Sequence, residues 1–197
     1  MKKVFLALLA VVAMVACEDN LDGNNGIATE FDFAFNESGV CYSTKFNGIS
    51  HTTFIKKVVG NGWEYDSSYE IFKNGNISKE DFYSTVDGGS DPHLYFETES
   101  VYKTFIYEDP NIIPVPHPYV YYDTEFIFDD SKLFSVLDGN RNFYEYLILS
   151  VNEEFMRCIM RFNMKDYILI TFKRKTPEKL QEYLQRHTYD MTWRPKE

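Results

Sequence analysis

The stretch that decides the fold is "GWEYDSSYEIFKNG", residues 62–75. It alternates. Trp63, Tyr65, Ser67, Tyr69 and Ile71 fall on one side of an extended chain, and Glu64, Asp66, Ser68 and Glu70 on the other. Period two with one wet and one covered face is the mark of a half-buried β-strand. Asn74-Gly75 then supplies the strongest short hairpin signal.

Outward from this strand the pattern recurs. Strand-like runs appear as "DFYSTV" (81–86), "HLYFET" (93–98), "VYKTFIY" (101–107), "YVYYDTEFIF" (119–128) and "KLFSVL" (132–137). They continue as "NFYEYLILSV" (142–151), "FMRCIMRF" (155–162) and "DYILITFKR" (166–174), with turn chemistry between. "EDPNIIPVPHP" (108–118) carries four prolines and reads as a stiff extended loop, because proline cannot donate to a central ladder. One helix follows the last strand. Thr176 caps it, Pro177 suits its first turn, and Leu180, Tyr183, Leu184 and His187 share a face. "HTTFIKKVV" (51–59) holds a short helical turn before the first long strand.

So many short antiparallel strands must hide their edges, and closure does this fully. The expectation is a single all-β domain over residues 50–197. It is an up-and-down antiparallel barrel of about 8–10 strands with a short C-terminal helix. A two-sheet sandwich is the alternative. Residues 28–49, with the alternating "EFDFAF", form an extra strand or an ordered arm. Aromatic residues make up 17% of the chain, enough to line a barrel's cavity or to fill it.

The N-terminus reads differently. Lys2 and Lys3 precede an uncharged apolar run, Val4 to Ala16. That run is shorter than the roughly 20 residues of a spanning helix and fits a secretory signal over residues 1–16. Met14-Val15-Ala16-Cys17 resembles the bacterial lipobox, with Met where Leu is usual. The resemblance implies that Cys17 is lipidated and anchors the mature chain in the outer membrane. Acyl chains contribute about 0.8 kcal/mol per buried methylene, so several hold firmly. Glu18 and Asp19 resemble the acidic export signal of surface lipoproteins of gut anaerobes, which implies display on the outer face rather than the periplasmic one. Residues 17–27, rich in Asn, Asp and Gly, are a flexible tether.

All 30 acidic residues follow Cys17, as do 18 of the 20 basic ones, so the mature net charge is 18 minus 30, or −12. This argues against nucleic acid and anionic head groups as partners. An apolar or amphipathic small molecule, or a glycan, stays open, as does the oligomeric state. Cys41 and Cys158 are far apart in sequence, and Cys158 reads as a buried thiol rather than half of a disulfide.

Further resemblance lies in residues 58–71. "VVGNGWEYDSSYEI" resembles the start of lipocalin-like domains, where a helical turn leads into Gly-x-Trp, although Gly60-Asn61-Gly62-Trp63 has one residue more. "ILITFKRKT" before a helix is similar to that family's closing strand with its basic residue. The likeness covers about residues 50–187. It implies a barrel with a ligand-sized mouth and a pair, Trp63 and Arg174, meeting at the barrel floor, with Lys173 next should the register slip. Inward aromatic positions Tyr65, Tyr69, Tyr122 and Phe126 are the candidate ligand contacts.

Motifs for chemistry are lacking. His51, His93, His117 and His187 lie on separate elements without metal-ligand spacing. Glu97 with Glu99, and Asp129 with Asp130, form acid pairs that nothing places across a cleft. There is no phosphate loop or nucleophile elbow. No catalytic residue, metal or cofactor is assigned, and the expectation is a non-enzyme. Tyr119, Tyr121 and Tyr122 either stack on sugar rings or pack across strands.

Overall fold

The computed structural model describes residues 31–46, 48–85, 92–107, 119–137, 141–163 and 165–189. Cys17, Glu18, Asp19 and His117 lie outside them. In chain order the elements are β1 (Phe33–Phe35), β2 (Cys41–Ser43), α1 (His51–Lys57) and β3 (Gly62–Ile71). Next come α2 (Phe82–Thr85), β4 (His93–Phe96), β5 (Val101–Tyr107), β6 (Tyr119–Asp129) and β7 (Lys132–Ser135). The last are β8 (Tyr146–Val151), β9 (Phe155–Arg161), β10 (Tyr167–Arg174), α3 (Pro177–Arg186) and β11 (Thr188–Tyr189).

Strands β3 to β10 each pair antiparallel with the next in sequence, and β10 returns to β3. The chain is therefore a closed eight-stranded up-and-down β-barrel, and the sandwich is excluded. Closure leaves none of these eight strands as a free sheet edge. β11 adds a short parallel pairing to β6 from outside.

Two apolar clusters are separated by the barrel wall. The inner one holds Trp63, Leu94, Phe96, Phe126, Ile148, Cys158, Ile170 and Phe172, plugged from below by Phe54 and Val58 of α1 and its following turn. The outer one holds Leu147, Leu149, Ile159, Tyr167 and Leu169, covered by Phe31, Phe33 and Cys41. The N-terminal segment is thus an ordered arm, its β1–β2 hairpin laid on the wall. The Tyr144 hydroxyl donates to the Cys41 carbonyl at 2.6 Å, both buried. Gly75 is required where the arm meets the turn after β3: φ is +85°, and a Cβ would stand 2.3 Å from the Phe33 carbonyl oxygen. The arm's lower end is fixed by Ser131, whose Oγ accepts from the Ile49 N–H at 2.7 Å.

Three sequence expectations are corrected. "DFYSTV" is not a strand. Its residues 82–85 form α2, because Phe82 and Tyr83 both pack on the barrel core, which adjacent residues of a strand cannot do. The strands expected at 132–137 and 142–151 are shorter, at Lys132–Ser135 and Tyr146–Val151. Most consequentially, β3 does not keep one face. The register with β10 steps from Ser67↔Thr171 to Tyr65↔Phe172, leaving Asp66 as a bulge. Trp63 and Tyr65 pack with the inner cluster, while Tyr69 and Ile71 pack with the outer one. Tyr69 therefore cannot be a ligand contact inside the barrel.

Cys41 and Cys158 are free and buried on opposite sides of the wall. Burial pushes the Cys41 thiol up to about 12, against the pull of Lys73, and pushes Cys158 higher still.

Candidate functional site

The up-and-down order sorts the turns into two sets. Turns 97–100, 130–131 and 152–154 share one end with α1. The C-terminal ends of β3, β5, β7 and β9 lie at the other, which is the mouth.

The lower end is solid. α1 starts at Ser50, whose side chain accepts from the Thr53 N–H at 3.1 Å. It drives Phe54, fully buried, into the barrel, where its ring stacks on Phe128 at 4.2 Å and meets Phe96 and Phe126 edge-on at 5.9 and 6.0 Å. Beside it the Arg174 guanidinium lies 5.1 Å from the Trp63 ring, within cation–π range. The same guanidinium donates to the Lys57 carbonyl at 2.8 Å, satisfying a C-terminal carbonyl of α1. Arg174 and Trp63 are register partners across β10 and β3. Lys173, one position earlier, is exposed. Phe126, expected to touch ligand, is 2% exposed and held by Phe54, Phe96 and Tyr102, so it belongs to this packed floor.

The upper interior changes character. The bulge at Asp66 turns Ser68 inward, and Asp81 closes the gap. Its carboxylate accepts the Ser68 N–H at 2.9 Å and the Tyr65 hydroxyl. α2 then sets Tyr83 edge-on to Tyr65 at 5.3 Å. Across the lumen the Tyr102 hydroxyl donates to Glu145 Oε2 at 2.6 Å, and the Tyr102 and Tyr146 rings meet at 6.1 Å. Tyr65, Tyr83, Tyr122 and Glu145 are half-buried, unlike the fully buried phenylalanines beneath. Burial raises the pKa of Tyr102, Tyr122 and Tyr146 above the usual phenol range, and the Glu145 charge adds to it in all three. These phenols stay protonated at neutral pH. They offer rings, O–H donors and lone pairs rather than nucleophiles.

Sequence reasoning reached Tyr65 and Tyr122 and missed Tyr83, Tyr102, Tyr146, Asp81 and Glu145. The one signal available was "YEY" at 144–146, which puts an acid between two aromatics. Of the tyrosine trio, Tyr122 is inward, whereas Tyr119 and Tyr121 lie on the outer wall. There Arg186 stands 3.5 Å over the Tyr119 ring, and Lys103 4.9 Å from Tyr121.

The remaining candidates have structural surroundings. His93 Nδ1 accepts from the Lys175 amine at 3.1 Å beneath α3, and Lys175 lies 3.8 Å from the Tyr183 ring. His187 donates to the Tyr183 carbonyl at 2.9 Å, and burial lowers its pKa, so its place at the helix end does not hold a positive charge. His51 stands 3.6 Å from Glu99, and Glu97 pairs with Lys103 at 3.0 Å. Among the described residues no three His, Cys, Asp or Glu side chains group to hold a metal ion. A groove of about 310 Å³ lies outside the barrel, between Phe31–Phe33 of the arm and Asn74–Ile77.

Comparison of the chain with protein-family models, with curated proteins and with solved structures finds no match. The site is therefore interpreted from its own chemistry.

Proposed function

We propose that this protein is a binding module lipidated at Cys17, carried on the outer membrane and displayed at the cell surface through Glu18 and Asp19. In this reading the barrel mouth accepts a small amphipathic molecule. One observation carries the binding part: the inward side chains change from fully buried apolar groups below to half-buried phenols and a carboxylate above. Ligand sites join apolar walls to a few convergent polar groups, and the half-buried Tyr65, Tyr83, Tyr122 and Glu145 supply both, backed by the buried Tyr102 and Tyr146. A ring or short chain would lie against the aromatic faces, with its polar end toward Glu145 and the phenols. The anchor rests on the Lys2-Lys3, apolar run and lipobox-like sequence.

A second reading is a filled barrel that docks protein or glycan on its outside. The solid lower half favours it. Native mass spectrometry of the protein taken from its own cells separates the two. A retained mass that is lost in Tyr122→Ala supports the binding module, and a bare polypeptide mass favours the filled barrel. For the anchor, Cys17→Ser abolishes incorporation of a fatty-acid analogue; retained labelling contradicts lipidation there. For display, replacing Glu18 and Asp19 with Ala keeps the lipid but protects the protein from external protease on intact cells. Equal digestion of both forms would reduce the acids to tether.

A further inference from the structure

The two ends of the barrel differ on the outside as well as within. Large apolar side chains stand exposed at the mouth: Phe72 after β3, Tyr107 ending β5, Val136 and Leu137 after β7, and Phe162 after β9. Leu137 is 79% exposed. They stand at or just after the ends of four separate strands, and the topology brings all four ends to one pole. At the opposite end the turns are acidic, with Glu97, Glu99, Asp129, Asp130, Glu153 and Glu154. None of the strongly exposed large apolar side chains among the described residues lies there.

An apolar rim at one pole of so acidic a chain calls for a partner that is apolar at its surface. The course of the chain identifies it. Phe31, the first described residue, lies against the Asn74–Ile77 turn, at the mouth. Only 13 residues, 18–30, separate it from Cys17. At no more than about 3.5 Å per residue, that tether reaches about 45 Å. The anchored chain therefore enters the barrel beside the rim, and the acidic pole lies a barrel's length further on. Lys73 and Lys165, next to Phe72 and near Phe162, are joined by a hydrogen bond from the Lys73 amine to the Lys165 carbonyl at 3.1 Å. Lysines beside exposed aromatics suit the head-group level, where apolar stems bury and amines stay wet.

We propose that the mouth rim seats the barrel on the lipid bilayer that holds its anchor, apolar side chains in the interfacial layer and acidic turns pointing away. This rests on the lipidation of Cys17. It also narrows the ligand class: a mouth on the bilayer takes an amphiphile that partitions into lipid.

The test uses the acylated protein in vesicles of phosphatidylcholine and phosphatidylethanolamine containing a spin-labelled lipid. An environment-sensitive fluorophore is placed at Lys165→Cys, on the rim, or at Glu154→Cys, on the opposite pole. Cys17 is acylated and the other two cysteines are buried, so only the introduced thiol reacts. The expected result is quenching several-fold stronger at position 165 than at 154, falling toward the 154 level when Val136 and Leu137 are both changed to Ser. Equal quenching at the two positions, in protein that floats with the vesicles, overturns the seating and leaves the anchor standing. Protein that does not float contradicts both.

Discussion

The two halves of one barrel interior are built from the same residue class and behave differently. At the closed end Phe54, Phe96, Phe126 and Phe128 meet edge to face or stacked, and three of the four are almost wholly buried. Above it five tyrosines gather round two carboxylates: Tyr65, Tyr83 and Tyr122 keep part of their surface open, while Tyr102 and Tyr146 are buried, Tyr102 against Phe96 and Phe126. The single oxygen that separates tyrosine from phenylalanine makes the difference. A phenylalanine core is stabilised by burial alone, at about 25 cal/mol per Å² of apolar surface. A buried phenol needs a partner for its hydroxyl, so it carries polar groups such as Glu145 and Asp81 into the lumen with it. One end holds the fold, and the other has chemistry to offer a ligand.

Mutation of the closed end gives the largest expected effect. Phe54→Ala removes the plug and its aromatic contacts, and costs about 3–5 kcal/mol in urea unfolding. A loss below about 1 kcal/mol would mean that α1 is an ornament rather than the floor. Asp81→Ala comes next. It strips the bulge of a charged acceptor for the Ser68 N–H and the Tyr65 hydroxyl, for about 1–3 kcal/mol, with Asp81→Asn recovering part of the loss. Arg174→Ala loses both the Trp63 contact and the hydrogen bond to the Lys57 carbonyl, for about 1–2 kcal/mol. Here Arg174→Lys should restore little, because an ammonium lacks the planar fork that makes both contacts.

Acid sharpens the comparison from outside the barrel. Burial, with the Lys175 charge adding, pushes His93 down to about 4 from 6.5. Between those values the unfolded chain binds a proton that the native state refuses, so stability falls as pH drops from 6.5 toward 4. The Glu64 carboxyl, raised by burial but lowered more by the Lys179 and Lys175 amines, adds a further loss below 4.5. His93→Gln should flatten the first part of that decline and leave the second, as read from urea midpoints across pH. The smallest effect is a null one. Neither Cys41 nor Cys158 should react with a thiol reagent in native protein, and both should react in urea, since each thiol is buried and its pKa is raised.

Much of this barrel could be read from the chain because its strands are short and locally patterned. Residues 119–128 are a run rich in aromatic and β-branched residues, and the Thr176-Pro177 start of α3 is a local capping signal. What escaped was non-local. The bulge at Asp66 depends on Asp81, a residue 15 positions later, and nothing in "EYDSSYE" marks where the alternation breaks. That one unpaired residue moved Tyr69 from the lumen to the wall beneath the arm. The Trp63–Arg174 contact was accessible only through the likeness to a barrel family, since it joins strands more than a hundred residues apart. Glu145 was invisible for another reason. It sits between an outward Tyr144 and an inward Tyr146, and irregular backbone before β8 lets its carboxylate reach Tyr102.

The central claim is that the mouth binds and the closed end holds, and two variants measured side by side test it most directly. A neutral amphipathic fluorophore such as N-phenylnaphthylamine is titrated into wild-type protein, Tyr122→Ala and Phe54→Leu, and the melting of each is followed in parallel. The account predicts that Tyr122→Ala weakens probe binding about tenfold, equivalent to about 1.4 kcal/mol, with little change in melting. Phe54→Leu should lower the melting temperature and leave probe binding intact. Undiminished binding to Tyr122→Ala, or binding lost only with Phe54→Leu, would contradict it.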